Sequence, residues 1–546
     1  MTEILEPQYV SSVAEIKWHQ QADVLVVGWG AAGAATALES LEQSASVIVI
    51  DRFNGGGASA KSGGVVYAGG GTSHQVKAGF ADTPEAMFDY LKHETLGVVS
   101  DDTLKKFCDD SKGNLEWLES HGAPYTHTMP PGGKTSYPAD GYYLYYSGNE
   151  TVPSHMGDHP PAPRGHRTVG KGHGGVVLYA KLKEACLKKG VIPLTQTRVS
   201  RLILLKDTQQ VIGVEAWRMP PGHPQTLRHQ KLATKAEAIQ NTRPKTADQL
   251  RREIADLENK FSEKIFIRGS SGVVLSTGGF IFNKEMLEKY APKYTKNFKI
   301  GATGCDGSAV RLGLGVNAAI DRMSTISAWR FINPPATWPK GIVVNKTGKR
   351  IFNEEVYGAT LGYHICENNE GKAWLLLDSK LRWDSLKNII FGKMWWFQWA
   401  PALMLMYLGV VKAKTPEELA LRLKMDPNEL TQSFTQYNQA IQNGQKDPLG
   451  KSAAYTQALV KPPYYALNIG TRNKFFPLGS LTLGGLKVNE LTGRVKRDDG
   501  TEILGLYAAG RAAVGVPSNL YISGLSLADC IFSGRRCARA ILGKGQ

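Results

Sequence analysis

The ten residues Val24 to Gly33, Val-Leu-Val-Val-Gly-Trp-Gly-Ala-Ala-Gly, constrain this fold more than any other part of the chain. An apolar strand runs into Gly28-x-Gly30-x-x-Gly33, and a helix-forming stretch follows from Ala34 to Leu41. Gly28 allows a tight turn. Gly30 lets the backbone approach a pyrophosphate. Gly33 lets helix pack on strand, and the helix N-terminus faces the phosphates. A second apolar strand, Val47-Ile48-Val49-Ile50, ends in Asp51, whose carboxylate is placed to accept hydrogen bonds from a ribose. The glycine pattern alone is a weak signal. Strand, glycines, helix, strand and acid in this order predict a dinucleotide site, against the plainer alternative of a tight βα turn.

Length and charge bound the rest. The chain has 546 residues, 42% of them hydrophobic, enough for two or three domains with a sizeable core. Met1 to Gln21 is polar and acidic without an apolar run, so no signal peptide is expected and the chain should be made in the cytoplasm. The six cysteines are scattered, with no CxxC pair and no metal-like cluster, which reads as buried free thiols and no metal site. A net charge of +16, from 65 basic and 49 acidic residues, suggests an anionic partner surface. No nucleic-acid motif accompanies it. Membrane lipid is therefore favoured, with plain solubilising charge as the alternative.

Two further segments identify the dinucleotide. Gly55 to Gly64, Gly-Gly-Gly-Ala-Ser-Ala-Lys-Ser-Gly-Gly, is dense in small residues, so backbone amides can crowd a flat or anionic ligand. Near the other end, Ile503 to Arg511 reads as a strand ending in glycine, and Tyr521-Ile522-Ser523-Gly524-Leu525-Ser526-Leu527-Ala528-Asp529 opens a last helix. This pairing resembles the flavoprotein family of succinate dehydrogenase, fumarate reductase and the 3-ketosteroid dehydrogenases, over roughly residues 20–540. The resemblance implies an α/β fold: a Rossmann-type FAD-binding domain, of parallel sheet plus β-meander, with an inserted α+β cap or catalytic domain. It implies FAD as cofactor, with the last helix pointing its N-terminus at the flavin pyrimidine ring, where a helix dipole favours the anionic reduced form. Beyond Gly28, Gly30, Gly33 and Asp51, the FAD contacts it implies are Ala32, Arg52, Ser59, Ala60, Ser62, Gly63, Gly64, Val199, Thr277, Gly278, Asp306, Gly510, Arg511, Ser526 and Leu527. Succinate dehydrogenases attach flavin to a histidine in the glycine-rich loop. The matching position here is near Gly57, so FAD is expected to be non-covalent.

The first FAD-binding segment is expected at about 1–300, the cap domain at about 301–460, and the second FAD-binding segment at about 461–546. Helices are expected near 84–96, 101–121 and 177–189, and a Pro/Gly/Tyr-rich loop at 123–175. Val199 to Ala216 alternates like a β-hairpin, and the meander should resume at Gly272 to Gly279. Between them lies a basic helical insertion, about 218–268, with Leu250, Ile254, Leu257 and Phe261 at helical spacing. It reads as an amphipathic helix packed on its own domain, or else as a partner-binding arm. Phe391 to Val411 holds three tryptophans, three methionines and Pro401, and Met394 to Val411 carries no charge. Three readings are open: a hydrophobic lid over an apolar substrate, a monotopic membrane contact, or a core helix. Flanking Lys393, Lys412 and Lys414 fit a lipid–water interface, with Trp395, Trp396 and Trp399 as the contacts.

Fumarate reductases cage two carboxylates with cations. Their pattern has a histidine before a Thr-x-Gly-Gly turn and an arginine ahead of the last helix. Here Thr482-Leu483-Gly484-Gly485 has no preceding histidine, and Tyr521 stands at the arginine position. A dicarboxylate would be left unpaired, at several kcal/mol. Tyr521-x-Ser523-Gly524-x-Ser526-Leu527 instead resembles the ending of the 3-ketosteroid Δ4-dehydrogenases, and Arg350-Ile-Phe-Asn-Glu-Glu-Val-Tyr357 resembles their cap stretch with a further catalytic tyrosine. The Δ1-dehydrogenases usually lack serine at the Ser523 position. The resemblance implies desaturation of a 3-ketosteroid at carbons 4 and 5, with a quinone or other electron acceptor. It casts Ser523 as proton acceptor, Tyr521 and Tyr357 as the relay, and the Gly524 amide as a ligand of the ketone oxygen. Δ1-dehydrogenation, reduction of another enoate in the fumarate reductase manner, and a flavin-binding membrane module without turnover are the alternatives. His166 and Arg167 read as weaker substrate contacts or as solvated loop residues, and Asp306 as ordering its turn.

Overall fold

Val24 to Val27 pair in parallel with Val47 to Ile50, and all eight side chains are buried. A strand covered on both faces needs a continuous apolar run rather than alternation, which is what the sequence supplies. The computed structural model describes residues 3–543. These strands, Gln20–Val27 and Val47–Ile50, lie in a nine-stranded sheet. The long strand Glu263–Leu275 organises it. Its first half runs antiparallel to Val211–Arg218, and its last residues run parallel to both Gln20–Val27 and Glu502–Ala508. The expected hairpin is Thr197–Leu205 with Val211–Arg218, and the α/β class expected from sequence is the one observed. The fingerprint helix Ala31–Glu42 packs on the last helix, Leu525–Ile541, where Thr36 Oγ1 donates to Gly534 O at 3.1 Å.

Residues 219–262 leave and re-enter the sheet at the paired ends Arg218 and Glu263. They form two helices, Pro224–Ile239 and Pro244–Phe261. Of the expected stripe, Ile254 and Leu257 are buried, and Leu250 and Phe261 are half-buried. The helix expected over 101–121 is two helices, Asp101–Asp109 and Ser111–Ser120, broken at Asp110 where ψ opens to −10°.

A second core surrounds an antiparallel four-stranded sheet of Ile342–Val344, Trp374–Leu377, Tyr464–Asn468 and Val410–Ala413. It includes Trp338, Leu376, Leu405 and Tyr437. Arg350 is fixed there by Glu354 at 2.7 Å and Asp447 at 2.5 Å, and Lys451 also meets Glu354 at 2.7 Å. This buried network anchors the stretch that ends in Tyr357. Two three-stranded sheets are separate from these: Val65–Tyr67 with Gly165–Arg167 and Leu144–Tyr145, and Phe298–Lys299 with Gly479–Thr482 and Ile326–Trp329.

The tryptophan-rich segment runs from the end of the helix Ser379–Phe391 through the helix Trp396–Leu408, which contains Pro401, to the strand Val410–Ala413. No helix among the described residues is long and apolar enough to cross a membrane. Ala402, Leu405 and Met406 face the core, while Trp396 (67% exposed), Trp399 (41%), Tyr407 and Leu408 face outward. Phe391 (82% exposed), Ile390 and Trp383 are further exposed apolar residues on the preceding helix. Trp395 departs from the expectation of a lipid contact: it is half-buried, and its indole N–H donates to Pro138 O at 2.9 Å. That bond and Gln398 Nε2 to Tyr137 O, at 3.1 Å, tie the helix to the loop 123–175. All six cysteines are unpaired and buried.

Candidate functional site

A cavity of about 240 Å3 opens where the parallel strands end. Gly28, Gly30, Ala32, Asp51, Arg52, Ser59, Ala60, Val199, Thr277, Gly278, Asp306 and Arg511 line it, all of them expected at a cofactor site. The three fingerprint glycines have different reasons to be glycine. At Gly28, φ is +103° and an added Cβ would lie 2.6 Å from Ser276 O. At Gly33 the Cβ would lie 2.0 Å from Gly28 O, so helix and strand could not close. At Gly30 the backbone is extended and the Cβ would meet only Ser59 Oγ at 3.4 Å and Gly56 O at 3.8 Å. The protein itself tolerates a methyl group there. What it would fill is the cleft, which is the cradle a pyrophosphate requires.

The cavity walls fit a dinucleotide. Asp51 is oriented at the cleft edge by backbone donors, Trp29 N at 2.9 Å and Phe53 N at 2.8 Å. Arg52 binds Glu258 at 2.8 Å and Asp306 at 3.2 Å. Asp306 also accepts from Ser308 N at 3.1 Å, ordering its turn as expected. Thr277 Oγ1 accepts from Ala309 N at 3.1 Å. Gly57 has no side chain to offer for covalent attachment, and a Cβ there would meet open space.

Gly33, Ser62, Gly63, Gly64, Gly510, Ser526 and Leu527 lie outside that lining. Gly33 and Gly510 pack the elements around it, the latter with a prospective Cβ 2.9 Å from Ala32 Cβ. Ser62, Gly63 and Gly64 form a turn in which Ser62 Oγ accepts from Gly64 N at 3.1 Å and Gly63 O accepts from Tyr137 at 2.9 Å. Ser526 and Leu527 stand in the first turn of the last helix.

At the start of that helix the polypeptide is clasped by the small sheet holding Tyr67 and Tyr145. Ser523 N donates to Ser147 O at 3.2 Å, and Ser523 O accepts from Ser147 Oγ at 3.0 Å. Ser523 Oγ lies 3.2 Å from the Tyr145 hydroxyl. Gly524 has φ +92° and a prospective Cβ 2.7 Å from Tyr67 N, so no other residue fits. Tyr521 stacks on Trp329 at 5.6 Å, Trp329 meets Phe331 at 5.8 Å, and Phe331 meets Tyr357 at 5.5 Å. The hydroxyls thus border one aromatic-walled region. Burial pushes the Tyr521 hydroxyl up to about 12, against the Arg511 charge and the Gly524 amide, which pull it down. Burial pushes Tyr357 well above the usual phenol range, reinforced by Tyr521 and Tyr145 and opposed by a hydrogen bond with Ser523. Both phenols are therefore neutral donors near pH 7, and neither is a free base. A cavity of about 20 Å3, room for one water, lies behind Tyr357 beside Lys134.

His166 and Arg167 are neither solvated nor free for substrate. His166 is buried against Thr72 Oγ1 at 3.0 Å, and Arg167 is buried on Tyr137, Asp140 and the carbonyls of Ala139 and Gly172. Sequence reasoning missed Tyr145 and Ser147. Their signal was the tyrosine density of the 123–175 loop, whose partner segment lies far along the chain. It also missed Lys61 and Glu237, which line the cofactor cavity and form an ion pair there.

Comparison with known proteins identifies the group that fits this cleft. Residues 23–526 match the family described as FAD binding domain. The chain is 45% identical, over 92% of its length and 94% of the relative, to the 3-oxo-5-alpha-steroid 4-dehydrogenase of Comamonas testosteroni. It is 27% identical, over 92% of its length and 94% of the relative, to a 3-oxosteroid 1-dehydrogenase of Mycobacterium tuberculosis. Its fold matches the 3-ketosteroid-delta4-(5alpha)-dehydrogenase of Rhodococcus jostii, solved with 4-androstene-3,17-dione, at a TM-score of 0.81 and 26% identity, covering 98% of this chain and 99% of that one. The chain belongs to the FAD-binding flavoprotein family, in the branch of the 3-ketosteroid Δ4-dehydrogenases.

Proposed function

We propose that this chain is a FAD-dependent 3-ketosteroid dehydrogenase that introduces the double bond between carbons 4 and 5, and that it takes 5α-saturated substrates. The observation that carries this reading is the meeting of the Ser523 and Tyr145 hydroxyls at 3.2 Å, beside Tyr521 at the start of the last helix, in a chain 45% identical to a 3-oxo-5-alpha-steroid 4-dehydrogenase. FAD, held non-covalently, supplies the hydride acceptor. Tyr521 and the Gly524 amide hydrogen-bond the ketone oxygen, which makes the proton on carbon 4 more acidic. Ser523 takes that proton. An isolated serine is a poor base, so Tyr145 and Tyr357 pass the proton onward towards solvent. Ser523 is suited to this role because its backbone is pinned by Ser147 on both sides, leaving only Oγ to face the reaction. Electrons leave for a quinone or similar acceptor.

The apolar surface of Trp396, Trp399, Tyr407, Leu408 and Phe391 carries exposed Lys387, Lys393 and Lys412 around it. On a chain of net charge +16 this supports peripheral contact with an anionic membrane, from which an apolar steroid would be drawn. Turnover with an artificial dye acceptor tests the activity. A 5α-saturated 3-ketosteroid should give a 4-ene-3-ketone faster than its 5β epimer. A product bearing only a 1,2 double bond would move the reading to Δ1-dehydrogenation.

A further inference from the structure

The helix pair inserted between Arg218 and Glu263 stands over the cofactor cleft and touches it at two separate points. The second helix sends Glu258 to Arg52, the residue after the ribose acid, at 2.8 Å and 3.0 Å. Glu258 is buried, and His229 of the first helix meets the same carboxylate at 3.0 Å. The His229 ring stacks on Phe53 at 5.7 Å. The first helix sends Glu237 into the cleft, where it pairs with Lys61 at the end of the short helix Gly57–Lys61 and accepts from Thr303 N at 2.5 Å. Arg251 adds a bond to Thr303 Oγ1 at 3.2 Å and lies over Phe282.

An amphipathic helix pair that only completed a core would bury apolar residues alone. This one buries Ile254 and Leu257, but it also buries the Glu258 carboxylate and half-buries Glu237, and places both on cations that belong to the cleft wall. The strands on either side pair directly at Arg218 and Glu263, so the sheet does not need the insertion for its register. We infer that the helix pair is a clasp on FAD: it closes the cleft through Glu258–Arg52 and Glu237–Lys61, and FAD leaves only when it opens. The inference rests on the FAD assignment and adds a set of cofactor-retaining residues to it.

The test uses the holoenzyme and reads FAD release as the rise of flavin fluorescence after dilution. Three variants are compared with the unmodified chain: Glu258→Gln, Glu237→Gln, and replacement of residues 221–261 by a short glycine–serine turn. Breaking the largely buried Arg52–Glu258 pair on one side is strongly unfavourable, so release should accelerate on the order of tenfold or more in Glu258→Gln and in the turn replacement. The Glu237–Lys61 pair is partly exposed, so Glu237→Gln should accelerate release by a smaller factor, about threefold. Amide hydrogen exchange supplies a second readout. On removal of FAD, amides of 224–261 should lose protection while those of the strand Val211–Arg218 keep it. If Glu258→Gln does not fold, Glu237→Gln and the turn replacement carry the test. Unchanged release in those two variants, or a helix pair whose exchange ignores FAD, would overturn the clasp. An unmodified chain that binds no FAD at all would instead overturn the cofactor assignment, and the clasp with it.

Discussion

Gly30→Ala and Gly33→Ala separate what the glycine fingerprint does for the fold from what it does for the cofactor. At Gly33 the new methyl carbon would lie 2.0 Å from Gly28 O and 2.9 Å from Ser276 Oγ. The strand–helix junction must spread, and overpacking of this kind costs typically ~1–3 kcal/mol or more. At Gly30 the nearest protein atoms are 3.4 Å and 3.8 Å away, and φ of −87° suits alanine. Loss of glycine at this helix N-cap should cost the apoprotein ~1 kcal/mol or less. The same methyl group stands where phosphate oxygens approach the backbone. Losing one such charge-assisted hydrogen bond costs ~1.5–3 kcal/mol, which is roughly 10- to 150-fold in FAD affinity. Thermal melting of the flavin-free proteins and titration with FAD by fluorescence quenching measure the two effects separately. Gly33→Ala should lose stability before cofactor is added, and Gly30→Ala should lose mainly affinity. If Gly30→Ala binds FAD within threefold of the unmodified chain, the cradle argument is wrong.

Ser523→Ala should slow flavin reduction by steroid about 10²- to 10⁴-fold, the usual share of a general base, with FAD content unchanged because Ser147 holds the backbone. Tyr521→Phe, which removes a donor to the ketone oxygen, should impair the same step, and near-normal reduction in both variants would show the proton acceptor and the ketone site to be misplaced. Burial pushes the Asp529 carboxyl from 3.8 up to about 6, only partly offset by Arg536 and the Val516 amide. The folded state then binds the proton more tightly, so stability falls as pH rises from about 4 to about 6. Asp529→Asn should therefore raise stability above pH 6 by on the order of 2–3 kcal/mol, a gain that vanishes below about pH 4. An equal gain at both pH values would contradict the assignment. Trp396→Ser with Trp399→Ser should release the protein from sedimenting anionic vesicles. If the unmodified chain already stays in the supernatant at low salt, the apolar surface has another occupant.

The parts of this fold that read plainly from sequence are those whose causes are local. The fingerprint glycines, the two buried strands and Asp51 lie within thirty residues, and each constraint acts on its neighbours. The ending Tyr521-x-Ser523-Gly524 is legible for another reason, its resemblance to a family motif, since what requires glycine at Gly524 is contact with Tyr67 from the far end of the chain. What was not legible depends on pairing across the chain. Tyr145 and Ser147 meet Ser523 from 378 and 376 residues away. Glu258 meets Arg52 from 206 residues away, so its helix read as one amphipathic stretch among others. Trp395 was misjudged because a tryptophan in an apolar run gives no hint that its N–H is needed by Pro138 O. His166 and Arg167 sit in a glycine-rich loop, where charge is ordinarily solvated. The loop folds inward here because Arg167 satisfies several of its carbonyls at once.

The account turns on one reaction, and anaerobic mixing of the holoenzyme with a 5α-saturated 3-ketosteroid tests it directly. With no other acceptor present, the flavin absorbance should bleach on addition of about one equivalent of steroid, and the steroid recovered should be the 4-ene-3-ketone. Absence of bleaching, or recovery of a 1-ene product alone, would contradict it.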